Sequence, residues 1–411
     1  MPALMMQPDM TQEMAQSATR QQAMTSWQAQ GWPGPRVESW RFTPLAAIAD
    51  RPIAPVRMLS GAVDSGAPVI EGAAVIRFTN GVVDPDTLTT LPAGVTVGDL
   101  ASDEAAMAEL RQIVPAVNPV SDLSLAMMSA GLVLDIAGSV ETPIMLVHTG
   151  DANECSTHPV ILVRVAAGAS AVLAEWHGSE AGIAAPLMGI SLGKGAELDM
   201  AKLQAESGAT AHLAATGVVL GEAARLSGFT LSTGAQLARL ETHVKMAGEG
   251  VDCTLSAVYL GRGDQHHDVT TYMDHAIGHC TSDQVIRGVL DDRARGVYQG
   301  KVHVAEDAQK TDGQQMSRAL LLSRKAEADA KPELEIYADD VICAHGATVG
   351  ELDETQLFYL ISRGIPMAQA RAMLIEAFLL DAIDAISNPA LAQLLRPAAE
   401  AWMATQGETG A

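Results

Sequence analysis

The chain is poor in aromatic residues and cysteine, and it has no long apolar run. Aromatic side chains are only 4% of its 411 residues, which disfavours a sugar-binding cleft, because sugar rings usually stack on aromatic side chains. Its four cysteines are far apart, unlike those of a small disulfide-rich secreted domain. No segment offers the roughly 18 uninterrupted apolar residues of a membrane span. The N-terminal sequence also lacks the basic head and apolar middle of a secretory signal, so we expect a cytoplasmic chain with reduced thiols and no membrane contact.

Basic residues are also scarce. The chain has 49 acidic and 26 basic residues, giving a formal net charge of −23. Such a charge repels a phosphate backbone, and no basic block offsets it, so nucleic acid is not an expected partner. Hydrophobic residues nonetheless make up 48% of the chain, too many for a largely disordered protein. The length indicates two or three folding units.

The long middle region consists of short apolar runs separated by glycine. Gly168, Gly195, Gly221 and Gly234 follow one another at intervals of 27, 26 and 13 residues, which predicts one strand and turn repeated along a solenoid. No helical pattern of about 10 to 15 residues separates the runs, so βαβ units are disfavoured. A right-handed parallel β-helix and an antiparallel sandwich remain. The regular bends and the many small residues favour the β-helix.

Helical patterns flank this region. We predict a mainly helical N-terminal cap over residues 1–120, the β-helix core over 121–350 and a helical domain over 351–411. In the cap, the composition of Gln12–Gln28 favours a helix that the following GWPGP sequence ends.

Three helices are expected in the C-terminal part. Asp353 is placed to cap the first, Gly364 to end it and Pro366 to start the second. A last helix is expected over Ala390–Met403. The apolar stripes on these helices can serve as core or as a docking surface.

Three phrases in one order carry a resemblance to a known family. They are AQKTDG at Ala308–Gly313, KPELEIYADDV at Lys331–Val341 and HGATVG at His345–Gly350. Together they closely resemble the SufD branch of the SufB/SufD family, which forms part of an iron–sulfur cluster assembly scaffold. ESWRFTPL at Glu38–Leu45 is an outlying match. The paralogous SufB branch is the nearest alternative, but its members are typically longer and carry HEAT in place of HGAT.

The resemblance implies a non-catalytic scaffold subunit. It implies that the β-helix edge pairs with SufB and that the C-terminal helices dock the SufC ATPase. It also implies a transient iron–sulfur cluster shared with the partner, and no cofactor held tightly by the isolated chain. Because an open strand edge readily pairs, a homodimer of the isolated chain is a further expectation. The residues expected to dock the ATPase are Leu357, Phe358, Leu360, Leu374 and Phe378.

Cys343 and His345 are the sharpest candidates for chemistry. In a strand, residues two apart project to the same face, so a thiol and an imidazole would lie side by side. Both are soft or borderline metal ligands, but an iron–sulfur site usually takes about four ligands, so a second chain would have to supply the rest. The resemblance places His345 at the interface with SufB as a ligand of the nascent cluster, with Cys343 beside it. The alternative is that Cys343 is a buried small hydrophobe and that His345 pairs with the backbone.

Two other patterns suggest chemistry less strongly. The histidines and the cysteine between His266 and Cys280 invite a zinc hypothesis, but their spacing fits neither a zinc finger nor a helical motif. Gly193-Lys194-Gly195 lacks the first glycine and the hydroxyl of a phosphate-binding loop. The five residues of the zinc hypothesis are His266, His267, His275, His279 and Cys280.

A carbohydrate-active β-helix enzyme is the best enzymatic alternative.

Overall fold

Strands are the main regular elements of the protein. The computed structural model describes residues 14, 16–51, 53, 66–114, 118–150, 155–178, 182–384 and 386–404. The strands in these ranges are β1 (Ala74–Thr79), β2 (Val82–Val83), β3 (Val95–Asp99), β4 (Ala130–Ile136), β5 (Ile144–Thr149), β6 (Ser156–Thr157), β7 (Pro159–Val165), β8 (Ser170–His177), β9 (Ile183–Ala184), β10 (Leu187–Leu192), β11 (Glu197–Gln204), β12 (Ala211–Leu220), β13 (Arg225–Ser232), β14 (Leu237–Met246), β15 (Asp252–Gly261), β16 (His266–His275), β17 (Thr281–Leu290), β18 (Arg295–Val304), β19 (Asp312–Leu321), β20 (Glu327–Ile336) and β21 (Ile342–Gly350).

The strands form two sheets that the chain visits in turn. The first sheet has the order β2-β1-β5-β8-β11-β13-β15-β17-β19-β21, and the second has the order β20-β18-β16-β14-β12-β10-β7-β4-β3, with β9 beside β12 and β6 beside β9. Among the described strands, only the pairs β1–β2 and β3–β4 are antiparallel. The chain therefore winds as a solenoid of about seven coils. The prediction of a parallel β-helix core with flanking helices is confirmed, and the antiparallel sandwich is wrong.

Residues stack from coil to coil at an interval that varies. Paired residues are 26 apart at Ala211 and Leu237 but 32 apart at Arg295 and Glu327. The strands from β14 to β20 all have ten residues, so the turns account for the variation there. The glycine intervals of 27 and 26 residues thus correspond to one coil, and that of 13 to half a coil.

Apolar side chains are buried in three layers. The first fills the space between the two sheets and includes Leu146, Leu198 and Val302. The second packs N-terminal helices on the outer face of the second sheet, as at Leu110 and Leu162. The third packs the C-terminal helices on the outer face of the first sheet, where the buried residues include Ala174, Leu231, Leu379 and Leu394.

The helix boundaries follow the capping residues. Asp353 Oδ1 accepts hydrogen bonds from the backbone N–H groups of Thr355 and Gln356, and Gly364 has a φ of 87°, a left-handed conformation that favours glycine. The predicted cap and stop are therefore confirmed. None of the described helices is long and apolar enough to cross a membrane. The helices are α1 (Ala18–Gln30), α2 (Glu104–Ile113), α3 (Pro119–Ala126), α4 (Glu354–Ser362), α5 (Met367–Ile383) and α6 (Pro389–Ala404).

The N-terminal part is less helical than predicted. β1 and β3 lie within residues 1–120 and already belong to the two sheets. Within the helix predicted from Gln12, Met14 and Gln16 are helical and α1 begins at Ala18, whereas residues 12, 13 and 15 lie outside the described residues. The helix ends before Gly31, as the GWPGP sequence predicts. The domain boundaries stay predictions, although β21 ends at Gly350.

A buried ion network ties the N-terminal segment to the second sheet. The Arg239 guanidinium lies 2.8 Å from Glu241 and 2.5 Å from Asp268. It also lies 4.0 Å from the centre of the Trp40 ring, and the Thr43 hydroxyl donates to Asp268. The ESWRFTPL phrase therefore anchors a loop to the solenoid through Trp40.

Candidate functional site: the open end of the solenoid

The C-terminal end of the solenoid is open. Among the strands that the structure describes, β20 pairs only with β18 and β21 only with β19, and each is last in its sheet. We call these two strands with their free edges the open end. At the opposite end the sheets finish in the antiparallel strands β2 and β3. No residue of β20 or β21 is fully buried, so this end presents two parallel-strand edges to a partner.

The two free edges differ in chemistry. β20 reads EADAKPELEI and carries four carboxylates, a lysine and Pro332, which are features that protect an edge from pairing. β21 reads ICAHGATVG and has neither an acidic residue nor proline. Its Ile342 and Val349 are 68% and 46% exposed. The β21 edge is therefore the better suited to accept a strand from another chain.

Cys343 and His345 lie on the inner face of β21. Cys343 is aligned with Gly313 and His345 with Gln315, and both β19 residues are buried. Cys343 is half-buried against the interior apolar cluster, whereas His345 is exposed, since no further coil covers it. The structure thus brings the two predicted residues to one face, and their role as cluster ligands stays a prediction.

A polar column leads inward from His345. Gln315 lies beneath it, and Gln284 lies beneath Gln315 in the next coil. Gln284 is 0% exposed, and no described residue bonds to either of its amide atoms. Unpaired polar groups are expensive to bury, so the Gln284 amide is an unfavourable feature at the inner end of this column.

The Cys343 thiol is not activated by its surroundings. Burial raises its pKa, the backbone hydrogen bond from Gly313 lowers it, and Asp312 raises it, with a net rise. The thiol is therefore protonated near neutral pH. It could act as a ligand only if metal binding displaced its proton.

The predicted docking residues differ in exposure. Phe358 on α4 is 72% exposed, and no residue of α4 is fully buried. Leu357, Leu360 and Leu374 are half-buried. Phe378 packs against the apolar cluster under α5 and α6, with the Arg287 guanidinium 5.4 Å from its ring centre. α4 therefore offers a free apolar surface, whereas Phe378 is partly used within the chain.

The residues of the zinc hypothesis do not form one site. His267 and His275 bond to Ser232 and Ser282 respectively, and His266 lies 3.1 Å from the Thr43 hydroxyl. Cys280 Sγ faces the Gly248 carbonyl oxygen, and the His279 side chain is 60% exposed. Within the described ranges, the groups with metal-binding geometry include none of these five residues.

A different cluster of histidine and glutamate was missed at the sequence level. We call it the His/Glu cluster, and its members are buried where β5, β8 and β11 end and β12 begins. One signal could have revealed part of it: Glu175 and His177 are two residues apart on one strand, so their side chains share a face. The pairing of His148 with His177 one coil away is known only from the structure. Its members are His148, Glu175, His177, Glu206 and His212.

The fold and the open end define a class: a two-sheet β-solenoid with two free strand edges at one end and helices packed on both outer faces. Residues 147–378 match the model of one family, the SufBD core domain of the SUF system for FeS cluster assembly. This match covers more than half of the chain, and the chain belongs to the SufBD family.

Individual relatives agree with this assignment. The chain is 36% identical over 204 residues to the iron-sulfur cluster assembly protein SufD of Escherichia coli, covering 50% of this chain and 48% of that protein. It is 37% identical over 145 residues to SufD of Bacillus subtilis, covering 35% and 33%. It is 29% identical over 392 residues to an iron-sulfur cluster assembly SufBD family protein of Synechocystis, covering 89% and 86%. The chain thus spans about half or less of the two SufD relatives and most of the third. The resemblance seen in the sequence is confirmed.

Proposed function

We propose that this protein is a non-catalytic scaffold subunit for iron–sulfur cluster assembly. It pairs with a SufB paralogue through the open end and docks the SufC ATPase through its C-terminal helices. The nascent cluster is shared at the paired edge, with His345 as a ligand and Cys343 as a second candidate. The observation that carries the proposal is the exposed, uncharged β21 edge with His345 on it.

The paralogue is a natural occupant of this edge. An added strand would satisfy the unpaired backbone groups of β21 and cover Ile342 and Val349, which are exposed in the single chain. Two ligands from one chain cannot complete a cluster site, so ligands from both sides of a paired edge are needed.

The ATPase surface is assigned to α4. Phe358 and Tyr359 are 72% and 56% exposed, and adjacent large exposed apolar side chains are typical of an interaction site. Because α5 is anchored to the first sheet by Ile375 and Leu379, movement of the docked ATPase could be passed to the solenoid. The free thiols of Cys253, Cys280 and Cys343 are consistent with the reducing cytoplasm that we propose as the location.

Matched edge variants test the pairing. Ile342→Lys places a charge in the proposed contact and should weaken co-purification with the paralogue by about tenfold or more, since a buried unpaired charge is strongly unfavourable. Ile336→Lys makes the same change on the β20 edge and should leave the complex intact. If both variants retain the paralogue, pairing through β21 is wrong.

The docking surface and the ligand are tested in the same complex. Phe358→Asp should release the ATPase and keep the paralogue, with exposed Val37→Asp as the control.

His345→Ala should lower cluster assembly, measured as iron and sulfide bound under anaerobic conditions, without loss of either partner. His279→Ala changes an exposed histidine elsewhere and should have no effect. Unchanged assembly with His345→Ala would make this residue structural.

A further inference from the structure

The His/Glu cluster holds histidine and glutamate side chains in a buried position outside the proposed partner surfaces. Its ligand atoms form two groups of three that share His177, and within each group the atoms lie within 4.8 Å of one another. The first group adds His148 and Glu175, and the second adds Glu206 and His212. Each residue in the two groups is at most 5% exposed. Such groups seldom converge in a core unless they pair or bind an ion.

The first group is already neutralised by a lysine. Lys202 Nζ lies 3.0 Å from Glu175 Oε2, and Glu175 Oε1 lies 2.7 Å from His177 Nε2 and 3.5 Å from His148 Nε2. A cation placed here would lie beside the ammonium group. The first group is therefore better described as an ion pair with two neighbouring imidazoles.

Among the described residues, no Lys or Arg forms an ion pair with the second group. Glu206 Oε1 lies 2.5 Å from His212 Nδ1, and Gln204 donates to Glu206 Oε2. His212 is 0% exposed, and its Nε2 has no hydrogen-bond partner among the described residues. The same ring bonds to the Glu206 carboxylate through Nδ1 and lies edge-on to the His177 ring, with the ring centres 4.8 Å apart. A buried imidazole nitrogen without a partner in such a ring indicates that a ligand is missing from the account of this site.

We propose that His177, Glu206 and His212 bind one divalent first-row transition-metal ion inside the solenoid. Two imidazoles and one carboxylate are the ligand set of many zinc and iron(II) sites. Metal–ligand bonds of about 2.0–2.2 Å in a tetrahedral site put ligand atoms about 3.0–3.5 Å apart. The ion would therefore replace the 2.5 Å contact between His212 Nδ1 and Glu206 Oε1, and side-chain rotation would have to bring the wider pairs together.

A second carboxylate lies beside the proposed ligands. Glu175 Oε1 lies 2.7 Å from His177 Nε2. Glu175 would act as the outer carboxylate that orients the His177 ring, as such groups commonly do around metal-bound histidine.

The proposed site lies close to solvent. Glu206 and His212 flank the turn of residues 207–210, in which Gly208 and Ala209 are exposed. Arg51 donates to the Ala209 carbonyl oxygen and the Gln236 N–H donates to that of Thr210, so an ion would enter here only when the turn opens.

The site is separate from the open end. Five strand spacings lie between β11 and β21 in the first sheet, which corresponds to about 24 Å. Its ion would therefore not be the cluster at the paired edge. The proposal does not rest on the scaffold function, because it can be tested on the isolated chain.

Metal titration of the tag-free, full-length chain tests the proposal. The protein is treated with a chelator, desalted, and titrated with Co²⁺ by visible absorption and with Zn²⁺ by calorimetry. We expect one ion per chain, with Co²⁺ bands typical of nitrogen and oxygen ligands that Zn²⁺ abolishes. His212→Asn and Glu206→Gln should each weaken binding by at least about tenfold.

Two further variants separate the alternatives. His275→Gln replaces a buried histidine outside the cluster and should bind as the wild-type chain does. Lys202→Met removes the ammonium beside Glu175. If Lys202→Met binds the metal ion with the affinity of the wild-type chain, the ion is held by the second group. A large gain in metal affinity would place the ion in the first group and overturn the assignment. Far-UV circular dichroism checks each variant for folding. A wild-type chain that binds no ion would overturn the proposal irrespective of the variants.

Discussion

Arg239 shows how one buried side chain can hold two parts of this protein together. It is 1% exposed, contacts Glu241 and Asp268 on the second sheet, and lies under Trp40 of the N-terminal segment. Burial raises the pKa of Glu241, but Arg239 and His243 lower it to about 2. The Glu241 carboxylate therefore stays charged in the core, and burial of this charge is tolerated because the Arg239 guanidinium lies beside it.

Removing this guanidinium should destabilise the fold strongly. Arg239→Ala leaves two buried carboxylates without their cation, and we expect the free energy of unfolding to fall by about 3–5 kcal/mol. Urea unfolding followed by circular dichroism measures the change. Arg293→Ala breaks an exposed pair with Asp264 and should have little effect. Equal losses in the two variants would contradict a special role for Arg239.

Buried histidines should make the protein sensitive to acid. Burial lowers the pKa of His267 and of His158 to about 3, whereas an unfolded histidine has a pKa near about 6.5. Below that value the unfolded chain binds protons that the folded chain excludes, so stability falls with decreasing pH. Each such group contributes about 1.4 kcal/mol per pH unit between the two pKa values.

The test is the slope of stability against pH. We expect His267→Gln to reduce the slope between about pH 6 and pH 4 by one proton per chain, measured from urea unfolding at a series of pH values. His279→Gln changes an exposed histidine and should have the same slope of stability against pH as the wild-type chain. A slope unaffected by His267→Gln would show that this ring is protonated in the fold.

At the scale of elements, close packing of a helix on the second sheet depends on one glycine. Gly217 lies on β12, and a Cβ there would be 2.3 Å from the Ile113 carbonyl oxygen and 2.6 Å from Val114 Cα. These are backbone atoms at the end of α2, so no side-chain rotation can relieve the clash.

Gly217→Ala should therefore push α2 away from the sheet. We expect a loss of about 1–3 kcal/mol in the free energy of unfolding, measured by urea unfolding. Gly34→Ala is the matched control, because a Cβ at Gly34 meets nothing within 4 Å. If both variants are equally stable, α2 is not held at this distance.

The elements show what sequence alone could predict. Caps such as Asp353 and stops such as Gly364 depend on neighbours in the chain, and both were predicted correctly. The common face of Cys343 and His345 follows from strand alternation. In contrast, the pairing of His148 with His177 depends on the turns between coils, whose lengths vary, so no fixed repeat could align them. The packing of Phe378 against Arg287 joins distant parts of the chain and could not be predicted either.

At the scale of the whole molecule, net charge should control association of the isolated chain. Two copies that meet at their β21 edges each carry a formal charge of −23, so they repel at low ionic strength, and salt screens this repulsion. We expect the dimer fraction in sedimentation velocity experiments to rise between about 20 mM and about 500 mM NaCl. Ile342→Lys should suppress the dimer at either salt concentration. A dimer that dissociates as salt is added would instead indicate contact between opposite charges.

The antiparallel strands β2 and β3 at the start of the solenoid have a consequence for assembly. Head-to-tail stacking of solenoids would need two compatible ends and would continue without limit as a fibre. Among the described strands, a long free edge is found only at the end with β21. Two molecules that pair through this edge have only the short antiparallel strands β2 and β3 at their outer ends. We therefore expect assembly to stop at a dimer.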